Sequence, residues 1–125
     1  MRINCLVIDA VDPERLAAFW SAVLGRPVEK RTGPYVFLGR DESGLGVGFQ
    51  RGEAPKTGKN RLHLDLETPD PAAEQARIEQ LGGRRLPEYD DGGFLVMADP
   101  EGNEFCLLPE GPVGLDEDGR AHYLD

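Results

Sequence analysis

The sequence predicts an α+β domain built from two tandem βαβββ modules, and three observations carry that prediction. The stretch Asn60 to Glu67 alternates strictly, with Leu62, Leu64 and Leu66 on one face of a strand and Arg61, His63, Asp65 and Glu67 on the other. Asp70-Pro71 follows Asp12-Pro13 by 58 residues, and Gly83 follows Gly25 by the same interval. Asp99 and Gly102 again stand 58 residues after Asp41 and Gly44, so the turn before the last strand is duplicated in place.

Each element has a local reason. Residues 2–9 hold Ile3, Leu6, Val7 and Ile8 and read as the first strand. Asp12 can cap a helix by accepting from its first free N–H groups, and Pro13 at the next position loses no hydrogen bond. Val11 and Leu16 are spaced for a hydrophobic staple across that cap. Leu16, Phe19, Trp20, Val23 and Leu24 recur at helical spacing with Trp20 expected in the core, and Gly25 ends the helix. Residues 27–31, 35–39 and 46–51 read as three short strands, separated by Thr32-Gly33-Pro34 and by Asp41 to Gly44. Module one therefore spans residues 1–51, and residues 52–59, with Pro55, Gly58 and two lysines, read as a linker. Module two spans 60–109, with Gly83 expected to stop its helix as Gly25 stops the first. Residues 110–125 fall outside the repeat, and Asp116-Glu117-Asp118-Gly119 makes them an acidic, extended tail.

Composition limits the function classes. A chain of 125 residues is one domain in length, and its formal charge of −9 argues against a nucleic-acid or anionic-membrane partner, which would need a basic patch. No apolar run approaches the roughly 20 residues of a membrane span. Acidic residues within the first fifteen break a signal-peptide pattern, and Cys5 and Cys106 allow at most one disulfide, so a cytoplasmic protein with reduced thiols is the expectation.

The repeat also assigns faces. Leu62, Leu64 and Leu66 correspond to Asn4, Leu6 and Ile8 on the helix-packed face, as do Phe105 and Leu107 to Val47 and Phe49. The opposite face collects Cys5, Val7, Asp9, Gly46, Gly48 and Gln50 from module one. From module two it takes Arg61, His63, Asp65, Glu67, Glu104, Cys106 and Leu108. If the two curved sheets close on one another, these open faces line a concave cavity. Asp9, Gln50, Asp65 and Glu104 are its candidate polar contacts, and Tyr35, Phe37 and Phe94 could stack on a planar ligand or pack in the core. His63 is the candidate general base, because its ordinary pKa lies near neutrality and Asp65 and Glu67 share its face. The glycines Gly44, Gly46 and Gly48 precede no helix, so they read as places of close approach rather than a phosphate loop.

The duplicated strand-helix-three-strand unit, the paired Asp-Pro helix starts and the turn Asp99-Pro100-Glu101-Gly102-Asn103 together resemble the vicinal oxygen chelate superfamily over residues 1 to about 109. That group contains glyoxalase I, bleomycin-resistance proteins and extradiol dioxygenases, and the chain looks most like its compact bacterial glyoxalase-like domains. In metal-dependent members the ligands stand at positions matching Cys5, Gly48, His63 and Cys106. Only His63 is of the expected kind. Cys106 stands where a glutamate is expected, Gly48 cannot ligate, and Glu104 sits roughly 6 to 7 Å away along the strand. The departure points to a metal-independent protein and away from dioxygenase chemistry. A zinc site of Cys5, His63 and Cys106 is the alternative, since zinc accepts two thiolates and an imidazole. The expected function is small-molecule binding of the sequestering or resistance type, with a polar or cationic organic ligand, no cofactor, and a homodimer as the oligomer. The alternative is a lyase or isomerase using His63 as base or as ligand of a divalent metal.

Overall fold

A computed structural model of the chain describes residues 1–89, 94–111, 113–115, 117–118 and 121–123. The chain divides into two compact units, residues 1–57 and 58–125, and the division falls inside the predicted linker.

In the first unit β1 (Cys5–Ala10) leads into α1 (Pro13–Leu24), then β2 (Val28–Thr32), β3 (Tyr35–Leu38) and β4 (Gly46–Arg51). The strand order is β1-β4-β3-β2, with β1 parallel to β4 and the other neighbours antiparallel. The cap forms as expected: Asp12 Oδ1 accepts from Arg15 N at 3.2 Å, and Gly25 closes the helix at φ 66°. A left-handed residue there costs a glycine nothing. Leu16, Ala17, Phe19 and Trp20 are buried from α1, with Val36, Leu38, Val47 and Phe49 from the sheet. Phe19 and Trp20 meet edge to face at 5.3 Å. On the helix side Arg31 Nε also donates to Glu14 Oε1 at 2.7 Å, tying β2 to α1.

In the second unit β5 (Leu64–Thr68) leads into α2 (Pro71–Gln80), β6 (Arg84–Arg85), β7 (Leu95–Ala98) and β8 (Glu104–Pro109). The order β5-β8-β7-β6 repeats that of the first sheet. Asp70 caps α2 by accepting from Ala73 N at 3.1 Å, and Ile78, Met97, Phe105 and Leu107 are all buried.

The duplicated turn is preserved atom by atom. Gly44 N donates to Asp41 O at 3.0 Å and Gly102 N to Asp99 O at 2.9 Å. Asp41 Oδ1 accepts from Ser43 N and Leu45 N, just as Asp99 Oδ1 accepts from Glu101 N and Asn103 N. These side chains close the turn on their own backbone, which is why aspartate is the repeated residue. The Ser43 hydroxyl, then the Leu45 N–H and the Arg26 guanidinium, hold the Asp41 carboxyl below its ordinary pKa, although partial burial opposes them. A folded carboxyl below its unfolded value stabilises fully above about pH 4 and loses that contribution as pH falls through the lower, folded value. Between pH 5 and 2, Asp41→Asn is therefore expected to flatten part of the acid loss in melting temperature. An unchanged acid limb contradicts this.

Four sequence expectations are corrected. The strands begin later than their apolar patterns, at Cys5 and Leu64, so Leu62 is 71% exposed rather than packed under a helix, and His63 stands just before β5. Gly83 does not stop α2: Leu81 caps it and Gly82 takes the positive φ of 107°. A Cβ on Gly83 would lie 2.6 Å from Ile78 Cγ2 and 2.9 Å from Ala98 O, so close packing is what requires a glycine there. Val11 is 44% exposed, so any staple to Leu16 is a loose one. In the tail, β9 (Val113–Leu115) pairs antiparallel with β10 (Ala121–Tyr123), so among its described residues there is a two-stranded ladder. Asp116 and Gly119 of the acidic run lie outside the described residues.

Candidate functional site

The open face of module one is arranged in rows by strand register. Asp9, Gln50 and Tyr35 lie side by side across β1, β4 and β3, and Val7, Gly48 and Phe37 form the next row. Cys5 and Gly46 begin the third. Rows two residues apart are separated by roughly 6 to 7 Å. Tyr35 and Phe37 stack with centroids 5.5 Å apart and planes within 12°. Both rings are half-buried.

The sequence leaves Gly48 as a place of close approach, and the approaching group is the Phe37 ring. A Cβ on Gly48 would stand 2.7 Å from both Phe37 Cδ1 and Cε1. Glycine lets the ring approach β4 this closely while it stacks with Tyr35. Asp9 is exposed at the edge of this platform and Gln50 is half-buried beside it. A stacked aromatic pair bordered by a carboxylate and an amide suits a planar ligand with a positive or donor group.

At the other end of the face, Asn4, Cys5, Glu29, Lys30, Phe37 and Arg40 border a cleft of about 270 Å³. Sequence reasoning singled out neither Lys30, within β2, nor Arg40, just after β3. Arg40 Nη1 donates to Asn4 O at 2.7 Å and to Gly44 O at 2.6 Å, contacts with no sequence signal because their acceptors are backbone carbonyls.

The open face of module two is different in kind. Cys106 is buried with Leu86, Val96 and Ala98, and Leu108 packs against them. Glu104 is 8% exposed, and its Oε2 accepts from Asn60 N at 2.9 Å. Its carboxylate thus anchors the approach to β5, a role that the alternation pattern alone could not distinguish from ligand binding. Phe94 is half-buried just ahead of β7.

His63 Nε2 lies 3.3 Å from Asp65 Oδ1, with the two side chains 44% and 50% exposed. The donor atoms of His63, Asp65 and Cys106 all lie within 4.8 Å of one another. A nitrogen, an oxygen and a sulfur form a donor set that zinc accepts, with a fourth position left open. Donors on one tetrahedral zinc stand about 3.3 to 3.8 Å apart. Any part of the set near its 4.8 Å limit would have to close slightly, which the exposed His63 and Asp65 side chains allow around the buried Cys106. The structure thus groups Asp65 with His63 and Cys106. Cys5 belongs to the cleft of module one.

Among solved structures, a glyoxalase-related enzyme from Fulvimarina pelagi superposes with a TM-score of 0.69 at 16% identity, covering 99% of each chain. A genomically encoded fosfomycin resistance protein from Listeria monocytogenes gives 0.70 at 16% identity, over 87% of this chain and 90% of that one. The trypanothione-dependent glyoxalase I of Leishmania major gives 0.65 at 24% identity, over 88% and 87%. No curated protein sequence matches the chain. The sequence pattern of the glyoxalase-like domain matches residues 5–108, most of both modules. With its duplicated βαβββ fold, the chain belongs to the glyoxalase-like domain family of the vicinal oxygen chelate superfamily, which includes glyoxalases, bleomycin-resistance proteins and dioxygenases.

Proposed function

We propose that this protein binds a small planar organic ligand bearing a cationic or polar group, as a sequestering or resistance protein that needs no metal to do so. The Tyr35–Phe37 stack is the observation that carries this reading. It sits at 5.5 Å on an open face and is held by Phe37 lying across Gly48, with Asp9 and Gln50 in register beside Tyr35. An aromatic face attracts a cation, and a carboxylate at its rim adds directional attraction. Each contact is modest, so an affinity in the micromolar range is expected. Isothermal titration with biphenylylmethylammonium tests the reading. Binding is expected, weakened at least about fivefold by Asp9→Asn or Tyr35→Ala. Absence of binding, or indifference to both substitutions, contradicts it.

The cluster of His63, Asp65 and Cys106 supports a second reading, a lyase or isomerase with His63 as general base or as ligand of a divalent metal. His63, Asp65 and Cys106 would hold the ion, which when bound would polarise a substrate oxygen as a Lewis acid. Without it, Asp65, 3.3 Å from Nε2, is placed to orient the His63 imidazole as general base. One structure of the Listeria relative holds manganese(II) with a dihydroxypropylphosphonic acid, and that chemistry is stated of the relative alone. This reading requires that zinc raise the melting temperature and that His63→Ala or Cys106→Ala abolish the shift, since binding to the native state alone stabilises by linkage.

A further inference from the structure

We infer that the cleft beside Cys5 is an anion subsite, so that the ligand of module one is bipolar, with a positive group near Asp9 and a carboxylate or similar anion near Arg40 and Lys30. The inference rests on the proposed binding reading and adds the second pole to it. Register places Asp9 and Cys5 four residues apart on β1, about 13 Å along the strand. Phe37 lies between those ends, opposite Gly48, and also borders the cleft. A rigid aromatic ligand lying along the Tyr35–Phe37 stack therefore has one end at the Asp9 row and the other at the cleft.

The charges of the cleft differ from those of the chain. Lys30, Arg40 and Glu29 give it a net positive charge within a protein of formal charge −9. A local excess of one sign inside a cleft focuses the field there and selects ligands of the opposite sign. Arg40 is moreover held in place. Its Nη1 is anchored by Asn4 O and Gly44 O, carbonyls that arrive from before β1 and from the turn before β4. Both anchoring bonds come from Nη1, so the Nη2 edge is not the group that ties these segments together. A positioned planar guanidinium suits a carboxylate, and fixing it beforehand reduces the ordering cost of binding. Lys30 lies next to Phe37 in the β2–β3 register and brings a second positive charge to the same end. Glu29 is the opposing charge. It sits at the irregularity between Val28 and Lys30, and it disfavours polyanions more than a single carboxylate.

The test is isothermal titration of the full chain with three probes on one frame: biphenylylmethylammonium, biphenylcarboxylate, and the para-linked aminomethyl-biphenylcarboxylate that carries both groups. The bipolar probe is expected to bind at least about tenfold more tightly than the cation. Arg40→Gln or Lys30→Gln is expected to return it to the cation's affinity while leaving the cation itself unchanged. Lys30→Gln removes charge without touching the Arg40 anchors, so a folding defect in the other variant does not remove the test. If the cation binds and the added carboxylate gains nothing, or if neither substitution matters, the subsite is overturned and the binding reading stands. If only the carboxylate probes bind, in an Arg40-dependent way, the subsite stands and the cationic reading falls. If no probe binds, both fall.

Discussion

Asp99→Ala is expected to cost about 3 kcal/mol and to lower the melting temperature by on the order of 10 °C. Asp99 is only 2% exposed, and its carboxylate closes the turn before β8. Oδ1 accepts from Glu101 N at 2.9 Å, Asn103 N at 3.0 Å and Asn103 Nδ2 at 3.1 Å, and Oδ2 accepts from Asn103 Nδ2 at 2.9 Å. Alanine leaves those donors without the carboxylate that accepts from them, and a donor left unsatisfied in a largely buried turn carries much of its desolvation cost. The counterpart Asp41 makes the same turn with its side chain 33% exposed, so water can replace what Asp41→Ala removes and the loss is expected to be smaller. Urea unfolding of the two variants measures both. Equal losses, or an Asp99→Ala loss below about 1 kcal/mol, would show that the duplicated turns do not differ energetically as their burial implies.

Gly48→Ala is expected to reduce binding of biphenylylmethylammonium more than tenfold while costing only about 1 kcal/mol of stability. The added methyl would stand 2.7 Å from two atoms of the Phe37 ring. Of the two, the ring is the one able to move, since Gly48 lies within β4, paired on both sides. Overpacking usually costs about 1 to 3 kcal/mol, and a half-buried ring that can swing outward places this site at the low end. The swing breaks the stack with Tyr35 and so removes the platform without removing an aromatic residue. Titration of the variant alongside a urea melt separates the two effects. Wild-type affinity with normal stability would show that the stack is not the binding surface.

The architecture was legible because its signals are local. Asp12 and Asp70 cap helices through their own side chains, and Asp41 and Asp99 fold turns on their own backbone. A duplication therefore shows in the sequence as the same residue types at one offset. What could not be read depended on contacts distant in sequence. Gly83 matched Gly25 in spacing, yet it is required by Ile78 and Ala98 packed against it, while Gly82 takes the turn. Leu62 continued an alternating pattern beyond the point where β8 pairs with β5, and so it is exposed. Glu104 alternated as an open-face residue but is held by the backbone of Asn60. Arg40 gave no signal, because the carbonyls that position it carry no side-chain identity. Of the candidate face, Asp9 and Gln50 were placed together by alternation and the repeat, whereas the position of Tyr35 and Phe37 beside them and the charged cleft at the end needed the register of four strands.

Amide chemical shifts of chelator-treated protein titrated with biphenylylmethylammonium, first alone and then with zinc present, test the central claim most directly. The account predicts that shifts in the metal-free titration centre on Asp9, Tyr35, Phe37, Gly48 and Gln50, and that zinc leaves the affinity unchanged. Shifts confined to His63, Asp65 and Cys106, arising only after zinc is added, would contradict it and give the site to the metal-assisted reading.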